Sequence, residues 1–170
     1  MTLPDELLDL ADELAKPGSV ASEQVRFRRA VSSAYYALFH LLTWEASSVY
    51  SQEPEVRRNL CRTYTHTQIK EVSKRIVKGE WPKALRSTNI RPVWSKELEK
   101  MSRSFVELQE FRHKADYDLN HIFQHAEVIA LIKKARDAFM DWQMIKNTDE
   151  AKLFLQILHV WGVLDKDRNT

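Results

Sequence analysis

The stretch Arg112-His-Lys-Ala-Asp-Tyr-Asp118, which ends one predicted helix and leads into the next, sets two cations, an imidazole, two carboxylates and a phenol within seven residues. Upstream of it, Leu98, Met101, Phe105 and Leu108 recur at spacings of three and four, which marks one face of a helix, and the next place on that seam falls on Arg112. A guanidinium stays charged at any physiological pH, and burying it unpaired costs several kcal/mol. An acidic partner, a wet cleft or a ligand phosphate must therefore face Arg112. Asp116 and Tyr117 follow closely enough to share its surroundings. Two compatible readings arise: a polar brace between two helices, or a functional site.

A second polar line lies on an earlier helix. At about 100° per residue, Arg29, Ser33, Tyr36 and His40 fall on one side of it. That line is either a partly solvated face with Tyr36 lying over a neighbour, or a dimer or ligand surface. His121 and His125 are spaced by one helical turn, a separation that can hold a metal. No Glu follows His121 in the metalloprotease pattern and no third ligand is visible, so they are expected as core or interface histidines and no metal is assigned. With three glycines in the chain there is no phosphate-cradling glycine loop, and no cofactor is expected.

The elements that must position these groups read as helices. Ala, Leu, Glu, Lys, Arg and Gln are plentiful and Gly and Pro are few. Thr2-Leu-Pro-Asp5 resembles a helix start, followed by an apolar face of Leu3, Leu7, Leu10, Ala11 and Leu14 and a stop at Lys16-Pro-Gly-Ser19. The second helix, beginning near Ser19 or Ser22 and running to about Tyr50, carries Phe27, Val31, Ala34, Leu38 and Leu41, flanked by Ala30, Tyr35 and Leu42. After Ser51-Gln-Glu-Pro54, one kinked helix or two pass through Val56, Leu60, Tyr64, Ile69, Val72, Ile76 and Val77, stopping at Lys78-Gly79. An irregular segment, 79–94, carries Trp81, Pro82, Pro92 and Trp94 and is expected as an anchored or functional loop. Ser95 caps the next helix, which ends at Phe111-Arg112-His113. Asp118 or Asn120 caps another, with the seam Val128, Ile132, Ala135, Phe139 and Trp142. The last helix, about 148–163, starts at Asn147-Thr-Asp-Glu150 and is apolar around much of its circumference, so it is either central or covered by a second subunit. The fold class is all-α, an up-and-down bundle of about five to six helices in a single domain spanning 1–170.

Composition narrows the function classes. The single cysteine, Cys61, excludes an internal disulfide framework and is expected as a buried thiol. No cationic-then-apolar start and no apolar run near ~18 residues occurs, which leads to the expectation of a soluble cytoplasmic protein without membrane partners. Net charge is only +2, yet residues 1–15 hold five acids and no Lys or Arg, while 53–100 holds twice as many bases as acids. A basic middle can steer a polyanion such as RNA, and solvated helix faces produce the same pattern.

Two segments together resemble a known family. Phe27-Arg-Arg-Ala-Val-Ser-Ser-Ala-Tyr-Tyr-Ala-Leu-Phe-His40 is similar to the first signature of the small prokaryotic HEPN-domain proteins, and Arg112-His-Lys-Ala-Asp-Tyr-Asp118 resembles the second. The resemblance spans about 22–142 and implies a helical bundle, commonly a homodimer. It further implies a metal-independent ribonuclease acting as a toxin or defence factor. The family's active site pairs an arginine with a histidine after four to six intervening residues. No such pair occurs here; Tyr117 stands where a histidine with four intervening residues would be. Under this resemblance Arg112 is the phosphate-stabilising cation, Asp116 a base or the holder of Arg112, and Tyr117 a proton donor. His113, His40 and Tyr36 are auxiliary candidates. The departure equally suits a non-catalytic interaction module that binds a protein such as the minimal nucleotidyltransferase often associated with this family.

Overall fold

The second helix organises the molecule, because the sequence makes it long and apolar on nearly every turn. A computed structural model describes residues 2–17, 22–80 and 93–166 of the chain. Within them α2 (Glu23–Ser48) packs against α1 (Leu3–Ala15), α3 (Pro54–Cys61), α5 (Lys96–Tyr117), α6 (His125–Ile145) and α7 (Asp149–Lys166). The remaining helix, α4 (His66–Lys78), lies against α5 and α7. The protein is an all-α helical bundle, with seven helices among the described residues where the sequence suggested five or six. The extra one arises because the stretch after Pro54 is two helices: α3 stops at Cys61, and a Thr65 cap starts α4 afresh.

Helix ends follow from local chemistry. Asp5 accepts from the backbone N–H and hydroxyl of Thr2 at 2.9 and 2.7 Å, closing the start of α1. Thr65 Oγ1 accepts from the Gln68 backbone N–H at 3.2 Å and the Gln68 side chain answers at the Thr65 N–H. Gly79, at φ 63°, ends α4 in the left-handed conformation that glycine adopts without a Cβ clash. Ser22 stands at the N-cap of α2 and Ser95 caps α5.

Three arginines terminate helices where carbonyls would otherwise be orphaned. Arg26, nearly buried, donates to the carbonyls of Leu14 and Lys16 at the end of α1. Arg57 donates to the Trp44 carbonyl and Ser47 hydroxyl at the end of α2, its guanidinium 3.7 Å over the Trp44 ring. Arg28 does the same for α5.

The core is shared by the helices. Phe27, Val31, Ala34, Leu38 and Leu42 of α2 meet Leu98, Met101, Phe105 and Leu108 of α5 and Val128, Ile132, Ala135 and Trp142 of α6, all buried. The apolar face of α1 differs from the one read in the sequence. Pro4, Leu8, Ala11 and Ala15 point inward and Leu3 and Leu10 are exposed, a rotation that lets Asp9 and Asp12 pair with Arg136 of α6. On α7, Phe154, Leu155, Ile157, Leu158 and Trp161 are buried, and the helix lies against α2 and α4 of its own chain. Trp94 is buried as an anchor; Trp81, Pro82 and Pro92 lie outside the described residues. Cys61 is half-buried, its thiol 3.4 Å from the Thr43 carbonyl, instead of enclosed. No helix among the described residues is long and apolar enough to cross a membrane.

Leu98 is fully buried at the start of α5, and truncating it leaves a cavity in the core. Leu98→Ala should lower stability in urea by about 2–5 kcal/mol with an unchanged m-value. A loss below about 1 kcal/mol would contradict this packing.

Candidate functional site

The sequence places Arg112 on the seam of α5, and the structure shows why it sits there. Its Nη2 donates to the Tyr36 hydroxyl at 2.6 Å and its Nε lies 2.8 Å from Asp116 Oδ2. Asp116 is therefore the acid Arg112 requires, supplied one turn along the same helix. The second carboxylate oxygen of Asp116 accepts from Ser32 Oγ at 2.7 Å, which fastens α5 to α2. The rings of Tyr36, Tyr117 and Tyr35 stand 5.4, 5.6 and 5.9 Å from the guanidinium carbon. Nη1 makes no hydrogen bond and is not enclosed, so one edge of the fork stays open.

This arrangement depends on α5 running to Tyr117, beyond the expected end at His113. Arg28 makes that extension stable. Its Nη1 donates to the carbonyls of Lys114 and Ala115 at 3.1 and 2.9 Å, and its Nη2 to those of Asp118 and His121 at 2.9 and 2.7 Å. A cation at a helix C-terminus also complements the helix dipole. Beside it, Gln24 donates to the Phe123 carbonyl at 2.8 Å and accepts from the Phe123 N–H at 3.0 Å. Asp118 thus ends α5, and Gln124 instead of Asp118 or Asn120 precedes α6. His121 consequently lies in the connection, 3.4 Å from Glu127, and not one helical turn before His125. Among the described residues no group of three or more side chains is placed to hold a metal.

The remaining candidates separate. Tyr36 is at the centre of the site. Tyr117 is exposed and covers the guanidinium from outside. His113 is exposed and touches the group only through the Tyr117 ring, at 5.0 Å. His40 stacks behind Tyr36 at 6.1 Å.

One imidazole not singled out in the sequence joins them. His66, the first residue of α4, has Nδ1 2.6 Å from the Tyr35 hydroxyl and its ring 5.7 Å from Tyr36 and 4.2 Å from Phe39. A signal for it exists in Thr65-His-Thr-Gln68, a capping box that fixes a helix start at His66 and thereby aims it at the Tyr35–Tyr36 pair.

Electrostatics divide these groups by charge. Burial disfavours the charge of Arg112, but the Tyr36 hydrogen bond and the neighbouring Asp116 hold its pKa above the usual value. Burial lowers His66, with Arg112 and His40 pushing the same way, and burial lowers His40. Burial raises Tyr35 against the opposing pull of Arg112, so its hydroxyl keeps its proton. At neutral pH the site therefore sets the fixed Arg112 cation beside two uncharged imidazoles, His40 and His66.

The basic middle segment is only partly available to a polyanion. Arg57 caps α2, while Lys70, Lys74 and Arg75 pair with Glu110, Glu71 and Glu80. Lys83, Arg86 and Arg91 lie outside the described residues. No protein-family model, curated protein or solved structure matches the chain.

The depressed histidines make stability depend on pH with a definite sign. The unfolded chain binds protons near 6.5, before folded His40 and His66 do, so their contribution is complete above that pH and is lost as pH falls toward their lower folded values. A double variant, His40→Gln with His66→Gln, should lose less stability than the wild type between pH 7 and 5 by chemical denaturation. Equal losses in both proteins would contradict the assignment.

Proposed function

We propose that this chain is an HEPN-like, metal-independent RNA-binding and RNA-cleaving protein of the toxin or defence type, with Arg112 as the group that meets the phosphate. The observation that carries this reading is the open edge of the Arg112 fork. Asp116 and Tyr36 fix the guanidinium on one side, and Nη1 stays available beside two neutral imidazoles. A guanidinium held in this way is pre-organised for a phosphoryl oxygen and for the charge that develops on it during cleavage. Asp116 is committed to Ser32 and Arg112, which suits it to holding the cation and not to taking a proton. Tyr117 lies over the guanidinium at the surface, where it can stack on a base or donate to a phosphate. The reading places the protein in the cytoplasm as a homodimer.

A second reading follows from Tyr117, Leu119 and Ile122, three large apolar side chains left exposed at the end of α5 and in the connection after it. In it the chain is a non-catalytic module whose exposed apolar side chains receive a protein partner, such as a minimal nucleotidyltransferase.

A metal-free assay over a broad RNA panel distinguishes the two. Wild-type protein should bind and cut RNA in chelator. Arg112→Ala should lose about 100-fold or more of the cleavage rate while its helical circular dichroism is retained. Unimpaired cutting by Arg112→Ala would remove Arg112 from the reaction. Absence of cutting across the panel, with tight co-purification of a protein partner, would favour the second reading.

A further inference from the structure

We propose that His66 is the proton-transfer residue of the Arg112 site, providing from the start of α4 the imidazole that the sequence lacks downstream of Arg112. This rests on the RNA-cleaving reading and deepens it. Three observations carry it. His66 Nδ1 is engaged at 2.6 Å by the Tyr35 hydroxyl, so the ring is oriented from behind. Its Nε2 makes no hydrogen bond and is not enclosed, leaving that atom to meet a substrate. Both His66 and Arg112 lie against the same two rings, Tyr35 and Tyr36, and the guanidinium is near enough to act on the imidazole electrostatically, which makes the two groups neighbours. His40 has the ring stacking but no orienting hydrogen bond.

The reaction follows from these positions. The ribose 2′-oxygen forms a bond to phosphorus as its proton passes to His66 Nε2. The bond from phosphorus to the 5′-oxygen breaks, and the departing oxygen takes a proton from water. The hydroxide so formed removes the proton from His66, and the products are a 2′,3′-cyclic phosphate and a 5′-hydroxyl. For Nε2 to accept, neutral His66 carries its own proton on Nδ1. That Nδ1–H donates to Tyr35 Oη both before and after the transfer, a hydroxyl accepting as readily as it donates. Arg112 Nη1 faces the phosphoryl oxygens throughout.

The surroundings keep this imidazole ready to accept a proton. Tyr35, Tyr36, Phe39 and His40 face it from α2, and Arg112 acts on it from α5. Lys70, one turn along its own helix, is paired with Glu110. Burial, Arg112 and His40 together lower its pKa below 6.5, so it is neutral at pH 7. Tyr35 acts through His66 and is a positioning residue.

The test is cleavage of a single-stranded RNA in chelator by wild type, Arg112→Ala, His66→Ala, His66→Gln and Tyr35→Phe, with folding checked by circular dichroism. His66→Gln keeps a polar side chain at the helix start should His66→Ala fail to fold. Both His66 variants should lose about 100-fold or more. The wild-type kcat/KM should rise with pH and level off below 6.5, and Tyr35→Phe should displace that inflection with a smaller loss of rate. His66 variants that cut at the wild-type rate while Arg112→Ala does not would overturn the role of His66 and leave the RNA-cleaving reading standing. Wild-type protein that cuts no RNA would overturn both.

Discussion

The four hydrogen bonds from Arg28 to the end of α5 and the connection beyond it set the geometry on which the site depends. Lys114, Ala115, Asp118 and His121 present their carbonyls to a single guanidinium anchored on the central helix. Hydrogen bonds to a charged group are worth roughly 1.5–3 kcal/mol each in favourable cases, about twice a neutral one. Together with Gln24 and the buried Phe123 ring they hold the α5–α6 connection against α2. Without that restraint the last turn of α5 would have unsatisfied carbonyls at a surface, the usual condition for fraying. Asp116 sits in that last turn. Its position one turn from Arg112, and opposite Ser32, exists only while the turn is helical.

The polar brace and the candidate site are therefore one structure. Asp116 and Tyr36 neutralise and orient Arg112, which removes the cost of a half-buried cation, and the same contacts leave one edge of the guanidinium exposed in a defined direction. Tyr35 has a parallel role for His66. It is buried, packs on Phe105 of α5, and meets the imidazole with both its ring and its hydroxyl. The two adjacent tyrosines of α2 thus reach two different elements, Tyr36 toward α5 and Tyr35 toward α4.

Much of this was legible in the sequence because helices announce themselves by period and cap. The buried stripe of α2, the seam of α5 leading to Arg112, and the pairing of Arg112 with Asp116 all follow from spacings of three and four. The length of α5 did not follow, because it depends on Arg28, 86 residues away along the chain from the first carbonyl it caps. An arginine on a helix surface looks the same in sequence whether it faces solvent or closes another helix. His66 was hidden for a related reason. Its distance from Arg112 in sequence carries no periodic signal, and only the packing of α4 on α5 brings the two together. On α1 the sequence places Ala11 on the inner face, and Leu7 and Leu14 do pack on the core. Leu3 and Leu10, however, are exposed and Pro4, Leu8 and Ala15 are buried, a shift around the helix that spacing alone does not distinguish.

The dependence of the site on Arg28 is open to a direct measurement by amide hydrogen exchange on Arg28→Lys, in which a single ammonium replaces the fork. Exchange at residues 114–123 should quicken by about 10- to 100-fold, matching the loss of one or two charge-assisted bonds, while α1 and α7 keep their wild-type protection. Unchanged exchange at 114–123, or an equal acceleration in every helix, would contradict the account.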